Sequence, residues 1–220
     1  VMINYSTGAL DNCRYAREKC NFKTILTSRK LLEKLDLKAI DHMVFVEDIL
    51  ASVTAVAKLK AALISKLPFS ILKGMVHSGP ASEVSVILFT SGSEKEPKAV
   101  QLSHRNILHN VDAVPQMVRL DHTDTFICML PLFHVFGLTT NFWLPTILGA
   151  TMVTYPNPLE YKTISDLVRE YKVTFMTATP SFFYGYLQKS QPGDYASIRF
   201  AIAGADKLPM KVYEGFLHKH

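Results

Sequence analysis

A loop rich in hydroxyl groups follows a mostly apolar run in the stretch VSVILFTSGSEKEPKAV, residues 84–100. It offers hydroxyl groups, a glycine that permits close approach, and a cation: Thr90, Ser91, Gly92, Ser93 and Lys98. Phosphate oxygens are bound by backbone N–H groups, hydroxyl donors and positive charge. We interpret the stretch as a phosphate-binding loop, with an ordinary Ser/Gly/Pro turn as the alternative. It is not a Walker loop, because the pattern G-x-x-x-x-G-K-[ST] is absent.

A single histidine, His134, stands in a long uncharged stretch, residues 125–155. An imidazole can orient a reacting group or move a proton near neutral pH. A histidine in an apolar stretch can equally be a hydrogen-bonded core residue, and the residues alone leave both interpretations open. The stretch is apolar enough to suggest a membrane span, but two prolines and two glycines divide it into pieces that are too short for a bilayer.

These candidate residues need a scaffold, and the sequence predicts one of alternating strands and helices. Candidate strands are residues 1–4, 24–27, 43–46, 84–89, 126–130, 150–154, 174–177 and 200–203. Candidate helices are residues 10–19, 29–35, 52–67, 104–118, 138–148, 164–171, 180–188 and 207–217. This alternation favours an α/β fold with mostly parallel strands and helical crossovers. Such folds bind ligands at the carboxyl ends of their strands, which is where the hydroxyl-rich loop stands.

The composition is that of an ordinary globular protein. Of 220 residues, 48% are hydrophobic and 20% are charged, which suits one large or two small domains. The net charge of +5 is spread along the chain, so we expect no nucleic-acid partner. Three cysteines without paired or metal-type spacing favour a reducing, cytoplasmic location. Two glycines and a proline mark residues 74–83 as a candidate linker between an α/β segment, residues 1–73, and a second one, residues 84–220.

The segment from residue 49 to residue 82 contains four lysines and no acidic residue. A basic, apolar helix can lie on an anionic membrane surface, so peripheral contact with the inner face of the cell membrane is one hypothesis. A solvated helix whose lysine stems cover apolar surface is the other. The apolar stripe is imperfect, because Lys60 lies one turn from both Val56 and Ile64.

Three motifs, in the same order and spacing, resemble the adenylate-forming enzymes, the family of acyl-CoA synthetases, luciferases and peptide-synthetase adenylation domains. TSGSEKEPKAV resembles the family's phosphate-binding signature, with Lys95 and Ala99 where the family usually has glycine. LPLFHVFGL, residues 130–138, resembles the motif at the acid-substrate pocket, and AIAGADKL, residues 201–208, resembles the stretch that holds the adenine. VMINYSTGAL and KTILTSRKLLEKL further resemble the branch of bacterial acyl-[acyl carrier protein] synthetases, including those joined to 2-acylglycerophosphoethanolamine acyltransferase.

The resemblance covers essentially the whole chain and implies part of the large N-terminal domain of such an enzyme. It implies ATP and Mg²⁺ as cofactors, with the magnesium-binding glutamate outside this sequence and no metal ligand within it. The implied reaction joins a fatty acid to AMP, then passes the acyl group to the phosphopantetheine thiol of acyl carrier protein or CoA. We expect the isolated fragment to be inactive.

The resemblance also implies a role for each candidate residue. The residues expected around the phosphates are Thr90, Ser91, Gly92, Ser93 and Lys98. His134 is expected beside the fatty carboxylate and the α-phosphate. Those expected at the adenine are Gly204, Ala205 and Asp206. Those expected to line the acyl pocket are Thr179, Pro180 and Phe183, and for Phe183 plain core packing is an equal alternative.

Two other functions remain as alternatives. A degenerate adenylation domain could act as a binding module, which Lys95 in the loop would favour. A lipid acyltransferase or hydrolase is the second, but neither G-x-S-x-G nor H-x-x-x-x-D occurs in the sequence. Such an activity would therefore lie elsewhere in the parent chain.

Overall fold

The computed structural model describes residues 1–4, 8–90 and 97–220, and these form two compact units. The first unit contains Val1, Ile3–Glu83 and Phe89–Val100, and the second contains Met2, Val84–Leu88 and Gln101–His220. The expected linker and the two-segment division of the chain stay predictions. In the described part of the chain, no helix combines the length and the apolar character needed to cross a membrane.

The first unit is built around a small parallel sheet. Its elements are α1 (Ala9–Cys20), β1 (Ile25–Thr27), α2 (Arg29–Lys34), β2 (Met43–Phe45), α3 (Val46–Ser52), α4 (Ala55–Ile64) and α5 (Phe69–Met75). β1 and β2 run parallel, with Ile25 opposite Met43. α2 begins where it does because the Ser28 hydroxyl accepts a hydrogen bond from the Leu31 N–H, which caps the helix.

Two strands, β3 (Val84–Phe89) and β4 (Ala99–Ser103), pair with each other on either side of the hydroxyl-rich loop. Residues 91–96 of this loop lie outside the described residues. After β4, the Ser103 hydroxyl accepts from the Asn106 N–H and the Asn106 side chain accepts from the Ser103 N–H. This capping box starts the next helix directly at the end of the strand.

The second unit contains a four-stranded, fully parallel sheet in the order β6-β5-β7-β8. The strands are β5 (Thr125–Cys128), β6 (Thr151–Thr154), β7 (Phe175–Ala178) and β8 (Phe200–Ala203). The helices are α6 (His104–Met117), α7 (Val135–Leu138), α8 (Leu144–Leu148), α9 (Tyr161–Glu170), α10 (Pro180–Lys189) and α11 (Met210–Lys219), with a π-helical turn at Thr139–Trp143. The prediction of an α/β fold with mostly parallel strands is confirmed.

Helices cover both faces of this sheet. Alternate residues of a strand point to opposite faces, and Phe126 and Ile127 of β5 accordingly belong to different hydrophobic clusters. One cluster packs the sheet against α9, α10 and α11, and the other packs it against α6 and the π-helical turn with α8. β7 is buried along its whole length. The central strands of the sheet are therefore packed on both faces.

Several predicted elements differ from the structure. Residues 1–4 form only an isolated bridge, from Met2 to Leu88. The helix expected over 52–67 is shorter, Ala55–Ile64, and it starts where Thr54 caps it by accepting a hydrogen bond from the Ala57 N–H. The helix expected over 138–148 begins at Val135 and contains the π-helical turn. β4, α3 and α5 were not expected.

Candidate functional site

The carboxyl edge of the four-stranded sheet brings together two of the three sequence motifs and the first two acyl-pocket candidates. Because the strands are parallel, they all end at the same edge, which is where α/β sheets bind ligands. β5 leads into LPLFHVFGL, β7 leads into Thr179 and Pro180, and β8 leads into Gly204. Gly204 continues the ladder of β7 and β8, since its N–H donates to the Ala178 carbonyl oxygen at 3.1 Å.

A buried asparagine fixes the end of β5. Asn141 is 2% exposed, and its Oδ1 accepts hydrogen bonds from the N–H groups of Met129 (3.0 Å) and Leu130 (2.8 Å). Its Nδ2 donates to Thr177 Oγ1 of β7 at 3.0 Å. Asn141 stands in the π-helical turn, a type of distortion that is common near functional sites. Sequence reasoning missed this residue, although the polar triplet Thr139–Asn141 inside an apolar stretch was a usable signal.

His134 stands at the start of α7 with its side chain exposed. Its N–H donates to the Pro131 carbonyl oxygen at 3.2 Å, and its own carbonyl oxygen accepts from the Leu138 N–H at 2.9 Å. The ring lies beside that of Phe133, with 4.5 Å between centroids. A Cβ at Gly137 would collide with the Pro131 carbonyl oxygen, so glycine lets this turn close tightly. A buried core position for His134 is therefore excluded, and its role in a site stays a prediction.

The adenine-type motif lies directly against the motif that carries His134. A Cβ at Gly204 would stand 2.5 Å from a ring carbon of Phe136, so only glycine leaves room for that ring. Ala205 has a left-handed backbone with φ of 71°, which is uncommon for a residue with a side chain and clusters at functional sites. Asp206 is exposed, and its carboxylate accepts from the Lys207 N–H at 2.7 Å. Residues 130–138 and 201–208, which are distant in sequence, thus lie side by side.

The acyl-pocket candidates lie at the start of α10. The Thr179 hydroxyl caps the helix by accepting from the Phe182 N–H, and Pro180 occupies the first helical position. Phe183 is 4% exposed and packs edge-to-face against Tyr186 and Phe216. Its surroundings are those of the core-packing alternative, and a contact with substrate stays a prediction.

The first unit carries the two ends of the hydroxyl-rich loop. The Thr90 N–H donates to the Lys98 carbonyl oxygen at 3.1 Å, which closes the base of the loop. Tyr15 of α1 donates its hydroxyl to the Pro97 carbonyl oxygen at 3.1 Å and lies edge-on to Phe89, with 5.9 Å between centroids. Tyr15 was not found from the sequence, because its partner is 82 residues away. The phosphate candidates Ser91, Gly92 and Ser93 lie outside the described residues.

A family model described as AMP-binding enzyme matches residues 1–219. The chain belongs to the AMP-binding enzyme family. The long chain acyl-CoA synthetase 8 of Arabidopsis thaliana is 30% identical over 233 residues, which cover 94% of this chain and 32% of that protein. The medium-chain fatty-acid–CoA ligase of Escherichia coli (strain K12) is 32% identical over 132 residues, which cover 59% of this chain and 23% of that protein. The chain thus spans about a quarter to a third of the length of these relatives.

Solved structures of adenylate-forming enzymes share the fold. O-succinylbenzoate Coenzyme A synthetase (MenE) from Bacillus subtilis, in complex with AMP, gives a TM-score of 0.76 at 18% identity, covering 98% of this chain and 51% of that one. ATP-bound MatB from Rhodopseudomonas palustris gives 0.72 at 19% identity, covering 98% and 42%. The predicted family and the predicted N-terminal-domain fold are confirmed.

Two ionisable groups at the carboxyl edge of the sheet, Cys128 and Tyr155, have a raised pKa. Burial raises the pKa of the Cys128 thiol to about 12, so the thiol stays protonated at neutral pH and is a poor nucleophile. Tyr155, which follows β6, donates its hydroxyl to Glu160, and this bond raises the pKa of the tyrosine. Among the described residues, no three His, Cys, Asp or Glu side chains are grouped so that they could hold a metal ion.

Proposed function

We propose that this chain is part of an enzyme that activates a fatty acid with ATP and transfers it to a phosphopantetheine thiol. The observation that carries this proposal is the contact of Gly204 with Phe136, which joins the adenine-type motif to the motif of exposed His134 at the ligand-binding edge of the sheet. Membership of the AMP-binding enzyme family supports it. So do relatives named as medium-chain and long-chain fatty-acid–CoA ligases.

The proposed chemistry has two displacements. A carboxylate oxygen of the fatty acid attacks the α-phosphorus of ATP, the bond to the β-phosphate oxygen breaks, and pyrophosphate leaves. A thiol sulfur then attacks the acyl carbon, the bond to the AMP oxygen breaks, and the thiol proton passes to solvent. Neither step needs a covalent bond to the protein, so its contribution is positioning and charge stabilisation.

Each candidate residue has a role in that positioning. The phosphates are held by Lys98 and by the hydroxyl and backbone groups of the loop, namely Thr90, Ser91, Gly92 and Ser93. His134 orients the fatty carboxylate toward the α-phosphate. The backbone of Gly204, Ala205 and Asp206 borders the adenine, while Thr179, Pro180 and Phe183 border the acyl chain. Magnesium bound to ATP neutralises phosphate charge, and we assign it no ligand among the described residues.

We propose acyl carrier protein or CoA as the thiol acceptor. The resemblance of the sequence to the acyl-[acyl carrier protein] synthetase branch supports the first, and the names of the relatives support the second. We place the protein in the cytoplasm, at the inner face of the cell membrane. Because the chain spans about a quarter of its relatives, the activity is proposed for the whole protein and the isolated chain is expected to be inactive.

ATP–pyrophosphate exchange driven by a long-chain fatty acid tests this proposal, using the protein with the rest of its adenylation domain. We expect exchange that depends on fatty acid and falls at least about a hundredfold in Lys98→Ala. Lys23→Ala, which removes an exposed lysine of the same unit, should leave the rate unchanged. An unchanged exchange rate in Lys98→Ala would contradict the proposed contact of Lys98 with the phosphates. A folded protein that binds ATP without exchange for any fatty acid would support the binding module instead.

A further inference from the structure

The segment from α3 to α5 exposes many large apolar side chains. None of the residues in α3, α4 or α5 is buried. In α4, the exposed fractions are 75% for Val56, 62% for Leu59 and 64% for Leu63. These three residues follow each other at spacings of three and four, so they share one face of the helix. We call them, with Phe69 and Met75 of α5, which are also more than half exposed, the α4–α5 apolar surface.

Positive charge surrounds this surface without acidic residues to neutralise it. Lys58 and Lys60 lie in α4, Lys73 lies in α5, and Lys66 lies between the two helices. The sequence has no aspartate or glutamate from residue 49 to residue 82. Within the described part of the chain, no carboxylate pairs with any of these four lysines. The surface is therefore both apolar and strongly cationic.

A helix of this kind requires a second surface to stabilise it. α4 has 10 residues, and isolated helices of fewer than about 12 residues are marginal in water. Apolar side chains at this exposure lose the stabilisation that burial would provide. Since no residue of α4 is buried within the chain, its stabilising contacts must come from outside these 220 residues.

An anionic bilayer fits both properties of the surface. The apolar stripe of α4 would enter the boundary between headgroups and acyl chains, while lysine amines reach the lipid phosphates through flexible apolar stems. Lys60, which interrupts the apolar pattern, is accommodated in the same way. Juxtaposed lysines are also the residues that anionic lipid surfaces attract. We propose that the α4–α5 apolar surface binds the protein to an anionic phospholipid bilayer. This inference is independent of the proposed adenylation activity.

Vesicle co-sedimentation of the protein with the rest of its adenylation domain tests this proposal. The probes are vesicles of phosphatidylcholine alone and vesicles with about one-third phosphatidylglycerol. We expect binding to the anionic vesicles, little binding to the neutral ones, and weaker binding as salt is raised, because salt screens the lysines. The double variant Leu59→Glu, Leu63→Glu should lose at least about tenfold in affinity. Lys58→Gln, Lys60→Gln should reduce the preference for anionic lipid while keeping the apolar stripe.

A matched control places the same charges on apolar residues elsewhere. Leu159 and Met117 are 59% and 85% exposed, so Leu159→Glu, Met117→Glu should bind vesicles like the unaltered chain. Circular dichroism must show the same fold for every variant compared. The proposal would be overturned if the protein bound neither kind of vesicle or bound both kinds equally. It would also be overturned if the control variant lost as much vesicle affinity as Leu59→Glu, Leu63→Glu. Oligomers that the Leu59→Glu, Leu63→Glu variant converts to monomers, with no vesicle binding, would instead assign the surface to a second copy of the chain.

Discussion

The amino and carboxyl edges of the four-stranded sheet differ in the burial of the polar side chains Asp124, His134 and Asp206. At the amino edge, buried Asp124 accepts hydrogen bonds from the Thr174 hydroxyl (2.6 Å), from Arg199 Nη1 (2.8 Å) and from the Asp121 N–H (3.0 Å). At the carboxyl edge, His134 and Asp206 are exposed. Polar groups that satisfy one another have little left for a ligand, whereas exposed groups on a rigid frame can still bind one.

The amino edge joins three strands through side chains. Asp124 precedes β5, Thr174 precedes β7 and Arg199 precedes β8. Arg199 also donates from Nη2 to the Arg119 carbonyl oxygen at 2.9 Å. Next to this network, hydrogen bonds from the hydroxyl and N–H of Thr123 lower the pKa of the Asp121 carboxyl. We infer that this edge contributes to stability, and the carboxyl edge to function.

Asp124→Ala is expected to have the largest effect on stability. It removes the acceptor of the half-buried Thr174 hydroxyl and of the Asp121 N–H, and it separates Arg199 from its carboxylate. Removing one partner of a buried ion pair costs about 3–5 kcal/mol, and the lower value applies because Arg199 can be hydrated. Urea unfolding of the chain measures the change. Asp112→Ala, at an exposed position of α6, is the control, and equal midpoints for the two variants would contradict the role of the amino edge.

Asn141→Leu is expected to affect both stability and function. The substitution keeps the branched shape of the side chain but leaves the N–H groups of Met129 and Leu130 without an acceptor, at a cost of about 2–4 kcal/mol in the free energy of unfolding. The end of β5 would move, and with it the turn that presents His134. Asn110→Leu, on an exposed face of α6, is the matched control. The free energy of unfolding and the rate of fatty-acid-dependent exchange should both be lower in Asn141→Leu. A decrease in only one of these two quantities would contradict a role of Asn141 in positioning the site.

Much of the fold follows from local sequence, but the side-chain networks do not. The strand Phe200–Ala203 matches its prediction residue for residue, because a short apolar run between polar segments has few other solutions. The later start of the helix expected over 52–67 is locally encoded by Thr54, whose capping role was overlooked. β4 was missed because AVQLS is half polar and is recognised as a strand only through its pairing with β3.

In the candidate site too, some residues could be predicted from local sequence and others could not. His134 and Gly204 were predicted as site residues from the sequence, since the motifs around them resemble a known family, and these roles stay predictions. Asn141, at the end of β5, has a partner in Thr177, 36 residues away. Tyr15, at the base of the hydroxyl-rich loop, has a partner in Pro97, 82 residues away. Local patterns in the sequence do not indicate hydrogen bonds between residues that are so far apart along the chain. Only the packed sheet and its helices reveal which polar side chains hold the site in place.

Gly204→Ala is expected to have an intermediate effect on stability and a specific effect on nucleotide binding. The new methyl group would press on the ring of Phe136, and overpacking of this kind costs about 1–3 kcal/mol. Affinity for AMP, measured by calorimetry on the whole protein, should fall at least about tenfold. Adding Phe136→Leu makes room for the methyl group, so the double variant should recover stability. Strictly additive effects of the two substitutions would contradict a direct contact.

His134→Ala is expected to have the smallest effect on stability and so gives the sharpest test of the comparison. The side chain is exposed, and exposed substitutions change the free energy of unfolding by about 0.5 kcal/mol or less. Fatty-acid-dependent exchange should nevertheless fall about a hundredfold if the imidazole orients the carboxylate. His109→Ala, at an exposed position of α6, should change neither quantity. If His134→Ala unfolds more easily and exchanges normally, the histidine stabilises the turn that begins α7, and the carboxyl edge would then resemble the amino edge.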